Sequence, residues 1–250
     1  MNTVFKHDKP PAALLLAAGS LRAALDDMIA AYAAAGGESF ETLYGPSGGL
    51  RQHIETGTKA DAFASASLRH LAALADQEKL EPPAVFARNT LCVVLRSGLR
   101  IDAGQFVEAL CDPALRVATS TPGSDPMGDY TWQLFRNIDA LHPGAFQALD
   151  GKAMRLSGAR IPAADESSPY FAAFAEDRAD AYIMYSTNAL VLKQSLPQLQ
   201  ILRIPAAYDV RCEYGIAAGK GSDRGRHFAA FALSADGQQV LRRHGFELPQ

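Results

Sequence analysis

The stretch Ala12-Ala13-Leu14-Leu15-Leu16-Ala17-Ala18-Gly19-Ser20-Leu21 decides the fold. Seven apolar residues fall far short of the ~20 that a membrane helix needs, so they read as a buried strand. Gly19-Ser20 closes the strand. Leu21, Leu25, Met28, Ile29 and Tyr32 then recur at helical spacing until Gly36-Gly37 stops the pattern. The same grammar returns at once: residues 39–44 are extended, Gly45-Pro46-Ser47-Gly48-Gly49 turns, and a short helix carries Leu50 and Ile54 and ends at Gly57. Each turn sets a serine hydroxyl beside the unpaired first N–H groups of a helix, a combination that holds anions without a cationic side chain.

Alternation continues along the chain. Residues 60–64 are a buried strand, Leu68, Leu71 and Leu74 mark a helix, and residues 85–95 read as one long extended run. Such order predicts parallel sheets covered on both faces. The pattern then restarts with a strand at 115–120, a turn-rich loop at 122–128 and a helix bearing Leu134, Ile138 and Leu141. Ser168-Pro169 has the form of an N-cap followed by proline at the first helical position. Strands are expected at 179–185, 199–204 and 212–218, and helix from 222 to 246. The restart near residue 90 predicts two similar α/β lobes, with the last helices returning to the first.

Composition bounds the function. The chain has 250 residues, 48% hydrophobic and 20% charged, with net charge -3. That is ample for a buried core and lacks the basic stripe of a nucleic-acid surface. Cys92, Cys111 and Cys212 show no CxxC spacing and read as buried reduced thiols. Lys6 and Lys9 ahead of residues 11–18 imitate a signal peptide, but cleavage at Ala18 would discard the first strand. An export signal, if the protein has one, is therefore expected to have been removed from this sequence.

Gly45-Pro46-Ser47-Gly48-Gly49 also fits the G-x-S-x-G pattern of a hydrolase elbow, with Asp180, His227 and His244 following in the right order. Only about forty residues precede it, too few for the strands that normally come first, and no HGGG-type segment occurs. Binding without covalent chemistry is the stronger expectation.

The order of segments carries a resemblance. Ala17-Ala-Gly-Ser20-Leu21, the run from Gly45 to Gly57, Ala60-Asp61-Ala-Phe63-Ala-Ser65-Ala66, Asn89-Thr-Leu-Cys-Val-Val94, Asp180-Ala-Tyr-Ile-Met-Tyr185, Glu213-Tyr214-Gly-Ile-Ala and Arg243-His-Gly-Phe246 stand in sequence. Together they resemble the periplasmic molybdate-binding proteins of ABC importers, within the type II solute-binding superfamily. The resemblance implies an α/β, two-lobed periplasmic-binding-protein-like fold, each lobe a mainly parallel sheet flanked by helices, with the ligand cleft between them. Lobe one would span 1–88 and 210–250 and lobe two 89–209, with a hinge near 87–90 and 206–211.

It implies further that Ser20 and Ser47 bind the oxyanion from the first lobe. From the second lobe come the Tyr185 hydroxyl and backbone donors at Met127 and near Ser167. The expected ligand is molybdate or tungstate, with no cofactor and no metal other than the one inside the oxyanion. The expected partner is a membrane permease of an ABC importer, and the protein is expected to be a periplasmic monomer that binds no nucleic acid. A pocket made only of donors suits a fully deprotonated dianion, because the proton of phosphate would go unpaired. Asp125 and Asp129 flank Met127 and complicate that logic: Asp129 reads as a first-turn residue complementing the helix dipole, whereas Asp125, turned inward, would accept a proton or repel a dianion. Sulfate, phosphate or an organic anion, bound for transport or for sensing, is the alternative.

Overall fold

A computed structural model of the chain describes residues 12–249, apart from 162 and 164–166. Lys6, Lys9 and the first eleven residues assigned to lobe one lie outside the described residues. The order of elements is β1 (Ala13–Ala18), a 3-10 turn at Gly19–Leu21, α1 (Arg22–Ala34), β2 (Phe40–Gly45), α2 (Ser47–Glu55), β3 (Ala62–Ser65), α3 (Leu68–Ala75), β4 (Ala84–Asn89) and β5 (Leu91–Leu95). Next come α4 (Phe106–Cys111), β6 (Val117–Ser120), α5 (Pro126–Leu141), α6 (Ala145–Lys152), β7 (Met154–Ser157), α7 (Pro169–Ala175), β8 (Ala181–Tyr185) and α8 (Ser186–Ser195). The chain closes with β9 (Gln200–Arg203), β10 (Cys212–Ala218), α9 (Asp223–Leu233) and α10 (Ala235–Arg243).

Two five-stranded sheets result, ordered β2-β1-β3-β10-β4 and β7-β6-β8-β5-β9. The first draws its strands from both ends of the described chain and the second from the middle, so the molecule has two lobes. The sheets are mixed. β1 pairs in parallel with β2 and β3, and β6 with β7 and β8; β10 and β5, which follow the crossings between lobes, run antiparallel to both of their neighbours. All of β1 except Leu14 is buried, and all of β3, β5, β6 and β8 is, as expected for strands covered on both faces.

The extended run expected over 85–95 is divided between the sheets at Thr90. No glycine or proline marks the break. Asn89 makes it: its Oδ1 accepts from the Thr90 N–H at 2.9 Å, and its Nδ2 donates to Thr187 Oγ1 at 2.8 Å. The final helical stretch is likewise two helices, because Ser234 ends α9 and caps α10 by accepting from the Gly237 N–H.

The return to the first lobe is fastened at several points. Asp61 accepts from the Leu14 N–H (2.8 Å) and the Ser222 hydroxyl (2.7 Å), joining β1 to the start of α9. Arg88 and Glu247 exchange backbone bonds of 2.7 and 2.9 Å. In the second lobe, Arg116 hydrogen-bonds Asp180 and holds its carboxyl down at about 2. The three cysteines are free thiols, and burial pushes Cys92 up to about 12.

Candidate functional site: the cleft between the lobes

The strand ends of both sheets open into a cavity of about 550 Å³. From the first lobe it is lined by the 18–20 turn, Arg22, Tyr44 to Pro46, and Ala66; from the second by Asp125, residues 155–160, the approach to α7, Tyr185 and Asn188. Ligands of open α/β sheets bind outside the strand carboxyl ends for the same geometric reason.

Ser20, Tyr185 and Ser167 line this cavity. Ser20 Oγ lies 3.0 Å from Tyr214 Oη, which also receives a long bond (3.4 Å) from Asn89 Nδ2. A polar chain thus runs from Ser20 through Tyr214 and Asn89 to Thr187, from one lobe to the other. Tyr185 is 2% exposed, and its ring meets that of Tyr214 edge-on at 5.5 Å. Its buried hydroxyl makes no hydrogen bond of good geometry among the described residues, although it approaches Tyr214 closely enough to lower that group's pKa. Burial raises the pKa of Tyr185 well above 10, so it stays a donor at any physiological pH. A buried hydroxyl left unsatisfied costs roughly 1–3 kcal/mol.

Ser47 and Met127 lie behind the cavity wall, each 0% exposed. Ser47 Oγ accepts from the Ala66 N–H at 3.1 Å, which leaves its own hydrogen to donate. The next helix N–H, that of Gly48, donates across the lobes to the Ser124 carbonyl at 3.0 Å. The Met127 N–H donates to Asp125 Oδ1 at 3.2 Å. The backbone donor expected at Met127 is therefore already paired with a carboxylate of its own helix cap.

Asp125 is the residue whose role the sequence left open. It N-caps α5, accepts from Ser120 Oγ at 2.5 Å through its other oxygen, and lines the cavity. Burial pushes its carboxyl pKa up, against the opposing pull of the Ser120 and Met127 bonds. Asp129, expected to serve the helix dipole, accepts from the Gly123 N–H (2.8 Å) and from Arg69 of α3 (2.7 Å), an ion pair between the lobes. Ile161 adds an apolar contact by packing on the first-lobe cluster that contains Leu50 and Phe63.

The sequence reading missed three arginines on the wall: Arg22, Arg155 and Arg160. Arg22 stacks over the Tyr44 ring at 4.3 Å and Arg155 over Trp132 at 5.1 Å. Arg155 and Arg160 fall in a stretch with no periodic pattern, so only the fold brings them to the cleft. The hydrolase alternative finds no triad: Asp180 is engaged by Arg116, His244 pairs with Asp27 at 2.8 Å, and His227 is exposed.

The family model of bacterial extracellular solute-binding proteins matches residues 13–247. The chain belongs to this family. It is 34% identical over 237 residues to an uncharacterized Pasteurella multocida protein, covering 93% of this chain and 97% of that one. Among solved structures, the periplasmic molybdate-binding protein of Azotobacter vinelandii superposes with a TM-score of 0.73 at 18% identity, covering 95% of this chain and 100% of that one. The sulfate-binding protein SubI of Mycobacterium tuberculosis gives 0.78 at 18%, covering 95% and 86%. Campylobacter jejuni PEB3, in a structure with L-phospholactate bound, gives 0.72 at 18%, covering 95% and 100%. At this identity the likenesses establish the two-lobed fold alone. Family membership makes the chain a bacterial extracellular solute-binding protein rather than an enzyme. No helix among the described residues is long and apolar enough to cross a membrane.

Proposed function

We propose that the cleft binds a small solute through an oxyanion group, and that the protein delivers this solute from the periplasm to the permease of an ABC importer. The observation that carries the reading is Tyr185, a residue of the cavity wall whose buried hydroxyl makes no hydrogen bond of good geometry among the described residues. A ligand oxygen accepting from it relieves the cost of the orphan donor and gains a charge-assisted bond, typically worth about 1.5–3 kcal/mol. Ser20, on the facing lobe, supplies a second hydroxyl. Ligand held between the lobes favours the closed arrangement, because each lobe provides part of the contact. The hinge lies at the two chain crossings, near 87–90 and 206–211, and the protein acts as a monomer.

Within this class, molybdate or tungstate is supported by the sequence resemblance and by the molybdate-binding neighbour. A second reading, a protonated or organic oxyanion, is favoured by Asp125 on the wall and is in keeping with the phospholactate-bound neighbour.

The test is calorimetric titration of ligand-stripped protein with Ser20→Ala beside the wild type. The substitution is expected to weaken the bound anion by about 1–3 kcal/mol, roughly 5- to 150-fold in Kd. Equal affinity in the two proteins refutes the assignment of Ser20.

A further inference from the structure

We propose that the solute is a small organic anion carrying a hydrogen-bond donor of its own, and that Asp125 is the specificity-determining residue that accepts from this donor and turns away fully deprotonated dianions. The inference rests on the reading of the cleft as an anion site and takes the second of its two readings, the organic oxyanion, in place of molybdate or tungstate.

Three observations converge. The first is chemical. Asp125 places on the wall a carboxyl group both of whose oxygens accept hydrogen bonds from within the protein. Each of its oxygens already holds one bond, to Ser120 Oγ and to the Met127 N–H, and each keeps capacity for another. Burial disfavours the bare carboxylate, so a further donor stabilises it. Molybdate, tungstate and sulfate carry no donor at neutral pH and would meet the carboxylate as like charge. A hydroxyl, an ammonium or an acidic P–O–H on the ligand satisfies it.

The second is size. The cavity is about 550 Å³, within the range of clefts that enclose small organic ligands.

The third is charge. Arg22 and Arg155 line the same cavity. Arg22 and Arg155 sit over the Tyr44 and Trp132 rings, and a guanidinium carries five N–H donors in one plane that match a carboxylate or phosphate edge. One hydroxyl-bound oxyanion does not need two guanidinium groups as well; an organic acid with a second anionic end makes use of them.

The experiment is calorimetry on the full chain, stripped of ligand, with two donor-bearing probes, glycerol 3-phosphate and O-phosphoserine, and two without a donor, molybdate and sulfate. The wild type is expected to bind at least one donor-bearing probe at least tenfold more tightly than either bare dianion. Asp125→Asn keeps the shape and is itself a good N-cap, so a melting curve near that of the wild type is expected. In this variant the preference should fall at least tenfold, because the amide offers a donor to the bare dianions. Molybdate or sulfate binding as tightly as both organic probes in the wild type overturns the proposal. So does failure of both organic probes to bind, or an order of affinities unchanged by D125N. Ser20→Ala keeps the two readings apart: it weakens every bound probe if the cleft is the anion site, whereas D125N changes their ranking.

Discussion

Gly225→Ala is expected to cost on the order of 3 kcal/mol of stability or more, lowering the melting temperature by roughly 6–12 °C for a chain of this size. Gly225 lies in the first turn of α9, where the returning helix crosses the start of β3. A β-carbon there would sit 1.7 Å from the Asp61 carbonyl oxygen and 2.7 Å from its carbonyl carbon. Both are backbone atoms, and they cannot turn aside as a side chain would. Asp61 is also the residue whose carboxylate binds Leu14 and Ser222, and its carbonyl accepts from the Gly219 N–H at 2.7 Å. Displacing it loosens β1, β3 and α9 together. Ordinary helix propensity argues the other way, since alanine in place of a helical glycine gains up to about 1 kcal/mol. Thermal denaturation checks the balance, and a melting point at or above that of the wild type contradicts the packing described.

Gly48→Ala separates folding from function. Its β-carbon would lie 2.6 Å from the Ser124 carbonyl oxygen and 3.2 Å from that of Gly123, both in the opposite lobe. Within its own lobe the substitution improves helix propensity at the start of α2. The variant is therefore expected to melt no lower than the wild type yet to resist closure, with the Gly48 N–H to Ser124 bond lost. Overpacking of about 1–3 kcal/mol confined to the closed state appears as a Kd weaker by roughly 5- to 150-fold. Small-angle scattering of the ligand-bound variant should give a larger radius of gyration than the bound wild type. Unchanged affinity and radius would mean that the contact between Gly48 and Ser124 has no part in binding.

The first lobe was legible because its turns are punctuated. Gly19-Ser20, Gly36-Gly37 and Gly45-Pro46-Ser47 each end an element where local backbone rules require it, and the strands and helices lie between them. The break at Thr90 was not legible. It depends on the Asn89 side chain reaching Thr187, 98 positions along the chain, and local patterning carries no trace of such a bond. β7 was missed because four residues at a sheet edge, three half-exposed and one exposed, show too little alternation to separate from loop.

The site divides in the same way. Ser20, Ser167 and Tyr185 reach the cavity wall, while Ser47 and Met127 stand behind it. Ser47 is held by the Ala66 N–H and Met127 by Asp125. A carboxylate two residues ahead of a helical N–H either caps it or turns elsewhere, and here it caps Met127 while still lining the cleft. The arginines gave no warning because Arg22 reads as an exposed helix residue and Arg155 and Arg160 as loop.

Tyr185→Phe asks whether the buried hydroxyl of Tyr185 is held for an anion bound between the lobes, by calorimetry with the anion that the wild type binds most tightly and by thermal denaturation without ligand. Affinity is expected to fall by about tenfold or more, while the ligand-free protein melts at the same temperature or higher, since an unsatisfied buried hydroxyl has been removed. An unchanged Kd would contradict this role, and Tyr185 would then be an ordinary packing residue at the end of β8.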